Sequence, residues 1–330
     1  MTTPRIGISL PTRHGSGHDG VPIERALALA QRAEALGFDS VWAGESMLAR
    51  PRFEPLTLLA AVAASTSRVT LGTCVLLPAL HAPVALAQRL ATLDRLSRGR
   101  LVVGAGIGVD LPATRREYAA AGVPFERRVR RLVETVQACR TLWSPKPEAL
   151  CDDAPGRVTQ DWDLRGIELE PKPHRDGGPP FWVGATVARD AALRRTGRVF
   201  DGWIPTAPSA DTWASGWSAI EAAAREAERA PGAVTPAAYL TLSLDRDAAA
   251  AEARLAAFYA SYYGIPFEVM RRVHGCFAGT PADCAAWLAG YARAGVAHFV
   301  LRSADLGRDL EPLAGEVIPL LRAAEGRSRA

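Results

Sequence analysis

The chain has 330 residues, of which 48% are hydrophobic and 22% are charged, and its formal net charge is +4. This is the composition of an ordinary globular protein and excludes intrinsic disorder. The arginines are scattered along the chain rather than collected into a stripe, which argues against a nucleic-acid partner. The longest apolar stretch, residues 56–64, is far below the ~20 residues of a membrane-spanning helix.

The cysteines and histidines give no sign of a metal site. The five cysteines form no C-x-x-C pair and are irregularly spaced, which predicts reduced thiols without structural zinc. The six histidines contain no H-E-x-x-H motif, so no metal ligand set is predicted. The N-terminal apolar run is too short for a signal peptide. Together these features predict a cytoplasmic protein without a membrane partner.

Short β-branched runs alternate with longer helical patterns in the first half of the chain. Strands are predicted at residues 5–10, 40–43, 69–77 and 101–106. Helices are predicted at residues 23–36, 55–65, 83–96 and 125–143. Residues 144–180 are rich in Pro, Gly and Asp and break this alternation, and their R-V-T-Q-D-W-D-L-R-G-I-E-L-E predicts a small β-hairpin.

The alternation resumes after this insertion. Strands are predicted at residues 181–184, 201–204, 238–244 and 298–302, with helices ending at 197 and spanning 212–229, 281–294 and 310–324. A second insertion, residues 248–275, has a helical pattern and contains F-Y-A-S-Y-Y-G. The strands are continuous buried runs, typical of parallel strands covered by helices. Eight such units predict an α/β fold, a (β/α)8 TIM barrel in one domain spanning 1–330, with a doubly wound sheet as the alternative.

The predicted helix at residues 55–65 is apolar on nearly every face. An outer barrel helix normally keeps one polar face. Two interpretations stay open: the helix packs beneath a loop, or it forms a subunit interface together with the next helix. The second interpretation predicts a homodimer.

In a TIM barrel the active site lies at the C-terminal ends of the strands. The residues there contain no clear carboxylate pair and no nucleophile–base pair, which argues against hydrolytic chemistry. They are Thr12, Arg13, His14 and His18 after the first strand; Glu45, Ser46 and Met47; Thr73, Cys74 and Val75; Gly106, Ile107 and Gly108; Gly184, Ala185 and Thr186; Trp203 and Thr206; and Arg302.

The fourth strand ends in L-V-V-G-A-G-I-G-V-D, with glycines at 104, 106 and 108. This departs from the dinucleotide fingerprint G-x-G-x-x-G because Val109 replaces the third glycine. At period two the glycines would face one side of the strand and leave a bare shelf for a planar ligand. Close packing against a helix is the alternative. After the fifth strand, the backbone N–H groups around Gly184 and Thr186 could hold a phosphate, or could form an ordinary helix N-cap.

Six stretches share the pattern of one known enzyme family. They are G-F-D-S-V-W-A-G-E-S at 37–46, V-T-L-G-T-C-V-L-L-P at 69–78, L-A-T-L-D-R-L-S-R-G-R-L-V-V-G-A-G-I-G at 90–108, and residues 169–186, 201–205 and 277–302. Together they resemble the luciferase-like monooxygenases, which are flavin- or F420-dependent oxidoreductases built on a TIM barrel. The resemblance runs nearly from end to end.

The resemblance implies roles for the strand-end residues. The Cys74–Val75 peptide falls where several F420-dependent relatives have a non-proline cis bond beside the cofactor ring. The resemblance places Thr73 and the segment Gly106, Ile107 and Gly108 near the same ring. It places Gly184, Ala185 and Thr186 at the cofactor phosphate, with Thr206 and Arg302 nearby, and it implies that the two insertions cap the substrate mouth.

This chain departs from the family pattern at two positions. Many relatives have Asp-His at the end of the second strand, where this chain has Glu45 and Ser46. The F420-dependent sugar-phosphate dehydrogenases use that His and a Glu after the fourth strand, where this chain has Ser46 and Val109, so that reaction is disfavoured. The candidate catalytic residues are Glu45, Ser46 and, as a replacement proton donor, His14.

The resemblance implies an oxidoreductase with a diffusible reduced cofactor. The leading hypothesis is an FMN-dependent monooxygenase that uses reduced FMN and O2 to oxygenate a small organic substrate. The alternatives are hydride transfer by coenzyme F420 and, from another class, a flavin-binding protein with little turnover. A separate flavin or F420 reductase is the expected partner. The insertions contain several aromatic residues, namely Trp162, Phe258, Tyr259, Tyr262 and Tyr263. Two interpretations stay open: these side chains contact an apolar substrate, or they form the core of the insertions themselves.

Overall fold

The computed structural model describes residues 3–13, 22–144 and 153–327. The strands in these ranges are β1 (Arg5–Ser9), β2 (Ser40–Ala43), β3 (Thr70–Thr73), β4 (Leu101–Ala105), β5 (Phe181–Val183), β6 (Gly202–Trp203), β7 (Thr235–Leu244), β8 (Cys276–Gly279) and β9 (His298–Ser303). The helices are α1 (Ile23–Ala35), α2 (Pro55–Ser65), α3 (Pro83–Leu96), α4 (Pro112–Ala120), α5 (Arg128–Trp143), α6 (Asp190–Val199), α7 (Ala210–Glu226), α8 (Ala248–Tyr263), α9 (Phe267–Met270), α10 (Pro281–Ala294), α11 (Leu306–Pro312) and α12 (Ile318–Arg327).

The strand order confirms the predicted (β/α)8 TIM barrel. The strands follow one another as β6-β5-β4-β3-β2-β1-β9-β7-β8, and β6 also pairs with β7, so the order closes on itself. The doubly wound alternative is therefore wrong. The short strand β8 was not predicted, because its four residues directly follow the helical insertion without a turn signal. It pairs with the C-terminal part of β7, from Thr241 to Leu244.

The chain divides into two compact units, which are described separately. Unit 1 comprises Met1–Pro11, Ala28–Trp42 and Trp182–Ala330. In this unit β1 pairs in parallel with both β2 and β9. Its buried core includes a ring cluster in which Trp182 lies 5.4 Å from Trp42 and 5.2 Å from His298, centroid to centroid. His298 Nε2 is hydrogen-bonded to Ser40 Oγ at 2.7 Å, and burial lowers the pKa of this histidine to about 3.

Unit 2 comprises Thr12–Leu27 and Ala43–Phe181. In this unit β3 pairs in parallel with β4. Asp94 of α3 is fully buried and binds the guanidinium of Arg175 at 2.8 Å, which fixes the segment that precedes β5. Helix α4 is absent from the helices predicted above, although it begins at Pro112 and proline is favoured in the first turn of a helix.

Helix α2 is less uniform than its sequence suggests. Its larger apolar side chains, such as Leu58 and Val62, are buried, whereas Thr57, Ala61 and Ala64 are exposed. The helix therefore has an inner apolar face and an outer face of small side chains.

The two insertions differ in how well they match the prediction. The predicted hairpin is reduced to one antiparallel bridge between Val158 and Asp163. The buried Arg157 side chain donates hydrogen bonds to the carbonyl oxygens of Leu164 and Ile167, so these groups cannot extend the ladder. Residues 145–152 of this insertion lie outside the described residues. The second insertion is helical as predicted, with α8 and α9.

Within the described ranges, no helix combines the length and apolar character needed to cross a membrane.

Candidate functional site

In unit 2 the segment after β3 runs along the end of β4. The Cys74–Val75 peptide is cis, as the family resemblance implies. Leu76 N donates to Gly104 O at 2.7 Å, and Gly106 N donates to Leu76 O at 2.8 Å. The Thr73 hydroxyl donates to Gly104 O at 2.8 Å. These bonds fix the backbone of residues 73–76 against the fourth strand.

Two of the three glycines of the predicted shelf, Gly106 and Gly108, lie against side chains. Strand β4 ends at Ala105, so the alternation of faces stops before Gly106. A Cβ atom on Gly106 would lie only 2.5 Å from Val75 Cγ2, and one on Gly108 only 2.6 Å from Thr114 Cγ2. Gly108 also has φ +70°, which favours glycine. Close side-chain packing accounts for both glycines.

Glu45 lies beyond β2 and belongs to a short charged network. Its Oε2 accepts a hydrogen bond from Leu77 N at 2.6 Å, and its Oε1 lies 2.8 Å from His81 Nε2. The two side chains are only 4% and 13% exposed. Arg89 lies 2.9 Å from His81 Nδ1. Because a guanidinium can only donate, Nδ1 accepts and Nε2–H donates to the carboxylate.

The sequence reasoning missed His81. The sequence predicts a third strand that runs to residue 77, and the candidate site residues predicted for this strand are only residues 73–75. The observed strand stops at Thr73, and a 3-10 turn over Pro78–Leu80 leads to His81. The available signal was a histidine two residues before Pro83, the first residue of α3.

Ser46 is anchored by a carboxylate that the sequence reasoning also missed. Ser46 Oγ donates to Glu117 Oε1 at 3.0 Å and accepts from Arg50 N at 2.8 Å. The same Glu117 oxygen accepts from Leu48 N at 2.7 Å and Ala49 N at 3.2 Å. Glu117 is 1% exposed and lies on α4, so it fixes the loop after β2. The Ser46 hydroxyl proton is held in this bond.

In unit 1 the loop after β5 is partly exposed to solvent. Gly184 and Thr186 are exposed, whereas Ala185 is buried and accepts a hydrogen bond from Trp203 Nε1 at 2.9 Å. Helix α6 begins only at Asp190, and its N-cap residue Arg189 makes no side-chain capping bond. The predicted loop-to-helix arrangement is therefore present, with a four-residue offset between Thr186 and the helix.

The remaining predicted residues are distributed as follows. Thr206 is half-buried, and its carbonyl oxygen accepts from Gly275 N at 3.0 Å. Arg302 is 6% exposed and donates to Thr241 Oγ1 and to the Tyr263 hydroxyl, each at 2.8 Å. His14 and His18 lie outside the described residues. In the described part of the chain, no group of three or more His, Cys, Asp or Glu side chains is placed to hold a metal ion.

Comparisons with known proteins agree with this architecture. The family model described as luciferase-like monooxygenase matches residues 4–298. A phthiodiolone/phenolphthiodiolone dimycocerosates ketoreductase of Mycobacterium tuberculosis is 32% identical over 232 residues, which cover 62% of this chain and 57% of the ketoreductase. The match thus spans less than two thirds of that relative.

Two further proteins match along nearly their whole length. The F420-dependent glucose-6-phosphate dehydrogenase of Kineococcus radiotolerans is 30% identical over 331 aligned positions, covering 89% of this chain and 91% of the dehydrogenase. A solved F420-dependent secondary alcohol dehydrogenase, in complex with an F420-acetone adduct, is 23% identical with a TM-score of 0.78, and the match covers 97% of this chain and 99% of that one. The likeness to this solved structure concerns the fold of the chain.

Proposed function

Because the chain belongs to the luciferase-like monooxygenase family, we propose that it is an oxidoreductase that uses reduced coenzyme F420 to reduce a small organic substrate. The observation that carries this proposal is the near-complete match to an F420-dependent dehydrogenase, at 30% identity over 89% of this chain. The FMN-dependent monooxygenase becomes the second candidate.

The residues of unit 2 fit the apolar ring of such a cofactor. Val75 packs on Gly106 and is held there by the backbone bonds between residues 74–76 and β4. We assign Thr73, Cys74, Val75, Gly106, Ile107 and Gly108 to ring contact. When bound, the deazaflavin supplies the hydride, and the protein orients the ring and excludes water.

The residues of unit 1 fit an anionic group. Gly184 and Thr186 are exposed residues, and the Thr186 hydroxyl, which accepts from Ala188 N at 3.4 Å, keeps its proton to donate. Backbone N–H groups and hydroxyls are the usual protein chemistry for a phosphate. We assign Gly184, Ala185 and Thr186 to the cofactor phosphate, with Thr206 as a further contact. Arg302, which the resemblance also places near the phosphate, donates to Thr241 and Tyr263, and we do not assign it to the phosphate.

We assign the acid–base role to the pair formed by Glu45 and His81. Their 2.8 Å contact is shielded from solvent, and Leu77 N fixes the carboxylate. Ser46 is a positioning residue in this scheme because its hydroxyl is committed to Glu117. Val109 is apolar and exposed, so the chain lacks the glutamate that the sugar-phosphate dehydrogenases use, and we do not propose glucose 6-phosphate as substrate.

The second candidate, an FMN-dependent monooxygenase, is favoured by a different observation. The carboxylates after β2 and on α4, Glu45 and Glu117, are both already hydrogen-bonded. If neither carboxylate is free to act as an acid, the bound flavin itself would supply the chemistry of oxygen transfer. This candidate therefore gains support if the pair of Glu45 and His81 proves dispensable for turnover.

The test is an anaerobic calorimetric titration of the purified protein with reduced F420 and, separately, with reduced FMN. Tight binding of F420 alone, followed by substrate-dependent F420 oxidation with a panel of ketones, supports the proposal. Tight binding of FMN alone, with substrate-stimulated oxygen uptake, replaces it with the monooxygenase. Binding of either cofactor without turnover on any tested substrate favours a cofactor-binding protein.

We also propose a homodimer and a separate reductase as partners. The outer face of α2 carries Thr57, Ala61 and Ala64, whose small side chains permit close approach of a second copy. Sedimentation of the wild type and of Ala61→Arg tests this, and a monomeric wild type at micromolar concentration contradicts it. The reductase would regenerate the reduced cofactor.

A further inference from the structure

Arg302, at the end of β9, lies in a cluster of aromatic rings in unit 1. Its guanidinium carbon lies 4.9 Å from the Tyr262 ring centroid, 5.2 Å from Phe258 and 5.3 Å from Tyr263. These rings belong to the last turns of α8. We call the cluster the arginine box, and it consists of Arg302, Tyr239, Phe258, Tyr259, Tyr262 and Tyr263.

Among the described residues, no carboxylate pairs with the charge in the arginine box. All hydrogen bonds of Arg302 go to hydroxyl oxygens, from Nε and Nη2 to Thr241 and from Nη1 to Tyr263. Two of its five N–H donors, one on each Nη, therefore have no partner within the described residues. Other arginines of unit 1 do have one: Arg254 pairs with Asp245 at 2.8 Å.

The energetic cost of burying the Arg302 cation is only partly compensated within the arginine box. A buried cation is costly unless it is paired with an anion. Cation–π contacts with aromatic faces and hydrogen bonds to neutral hydroxyls offset only part of that energetic cost. The arginine box therefore favours any anion that can reach it.

The arginine box is not sealed from its surroundings. Phe258, Tyr262 and Tyr263 are only half-buried, although Arg302 itself is 6% exposed. Helix α8 ends at Tyr263, and the next residue, Gly264, adopts φ 65° and terminates the helix. The half-buried rings thus stand at a helix end and form the part of the arginine box that is nearest to solvent.

We infer that the arginine box binds the carboxylate of the substrate, which is an organic acid with an apolar, aromatic body. Each Nη atom keeps one N–H donor without a described partner, and a carboxylate is the anion that a guanidinium most often accepts as a partner. The aromatic rings would cover the apolar body. This inference rests on the proposed function, because it names the substrate class of the same oxidoreductase.

The test uses benzoate as the probe and benzamide as its neutral counterpart, each titrated calorimetrically into the cofactor-free protein at low salt. We expect the wild type to bind benzoate at least about tenfold tighter than benzamide, because only benzoate pairs with the guanidinium. Arg302→Met should abolish this preference, and Arg302→Lys should restore part of it. The matched control is Arg271→Met, an exposed arginine 5.2 Å above the Phe267 ring, which should leave the preference unchanged.

A second variant separates recognition from folding. Tyr263→Phe keeps the cation and releases one N–H donor, so benzoate affinity should be retained or increased. Circular dichroism melting curves check that each variant folds. Loss of benzoate binding in Tyr263→Phe, equal binding of benzoate and benzamide by the wild type, or no benzoate binding at all would overturn the inference.

The cofactor titrations distinguish this inference from the proposed function. We expect Arg302→Met to change the affinity for F420 or FMN by less than about twofold, since these arms involve no substrate carboxylate. A large loss of cofactor affinity without benzoate binding assigns Arg302 to the cofactor and overturns the inference alone. Benzoate binding by a protein that binds neither cofactor overturns the proposed function alone.

Discussion

Buried charge is handled differently in the two units. In unit 2, Glu45 and Glu117 are carboxylates, and backbone N–H groups, a serine and a histidine satisfy them at 2.6 to 3.2 Å. In unit 1, Arg302 has only hydroxyls and aromatic faces around it. A closed network positions backbone loops, whereas an open one keeps donors for a ligand. Under the two proposals above, the closed network holds the loop after β2 and the acid–base pair in place, and the open one recognises a ligand.

The largest expected effect comes from removing the closed network. Glu117→Ala deletes the acceptor of Ser46 Oγ, Leu48 N and Ala49 N. We expect the free energy of unfolding to fall by about 3 kcal/mol, because three donors lose one buried, charged acceptor. Urea unfolding measures this loss.

The matched control for that variant is Glu126→Ala. Glu126 is 75% exposed and pairs with Arg115 at the surface. Its removal should cost about 0.5 kcal/mol or less. Equal losses in the two variants would show that the carboxylate of Glu117 does not hold the loop after β2.

Gly106→Ala probes the packing beside that network. The added Cβ would lie 2.5 Å from Val75 Cγ2, and such overpacking costs about 2 kcal/mol. The double variant Val75→Ala with Gly106→Ala should recover most of the loss, because the clashing methyl is gone. In Gly290→Ala, inside α10, the nearest atom is 3.9 Å away, so this control should gain about 0.5 kcal/mol. A double variant as unstable as Gly106→Ala contradicts the packing account.

The pH dependence of stability tests another incompletely paired charge of unit 1. Asp309 is buried, its Oδ1 has no hydrogen-bond partner among the described residues, and burial raises its pKa to about 6. The folded state therefore keeps a proton that the unfolded state loses, and this contribution is present below pH 3.8 and is lost as the pH rises through 6.

The contribution of His298 to the pH dependence of stability has the opposite sign to that of Asp309. Its pKa falls from 6.5 to about 3 in the folded state, so between these values the unfolded state binds the extra proton and stability falls with falling pH. Near pH 5 the two effects cancel in the wild type. In Asp309→Asn only the His298 effect remains, and unfolding free energy should change by about 1.4 kcal/mol per pH unit.

Urea unfolding at several values between pH 4 and 6 measures these slopes. The exposed Asp190→Asn, which breaks a surface pair with Arg194, serves as the control and should keep the wild-type slope. An Asp309→Asn variant with the wild-type slope would mean that Asp309 is ionised in the folded protein at pH 5.

The smallest expected effect is at the exposed end of the Glu45 network. Arg89→Gln removes the donor to His81 Nδ1, a contact that lies in an exposed part of the chain. The free energy of unfolding should change by about 0.5 kcal/mol or less. Thermal melting measures this change. A melting temperature lowered as much in Arg89→Gln as in Glu117→Ala would place Arg89 inside the closed network.

Several parts of the molecule could be predicted from local sequence patterns. The eight barrel strands and most helices were found because buried runs and helical spacing are set by nearby residues. The helical insertion was found for the same reason. The hairpin before β5, the helix α4 and the strand β8 were misjudged, because Arg157, Pro112 and the pairing with β7 act through contacts or positions that the pattern does not encode.

The candidate site shows the same division. The sequence by itself determined the barrel, the family and the strand-end segments at 73–75, 106–108 and 184–186, since these depend on local spacing and on motifs. Only the tertiary structure decided that His81 meets Glu45, that Glu117 holds Ser46, that Val75 fills the space beside Gly106, and that hydroxyls rather than a carboxylate are the described partners of Arg302. Pairing of side chains 30 to 70 residues apart depends on how the strands are brought together, and spacing along the chain does not specify it.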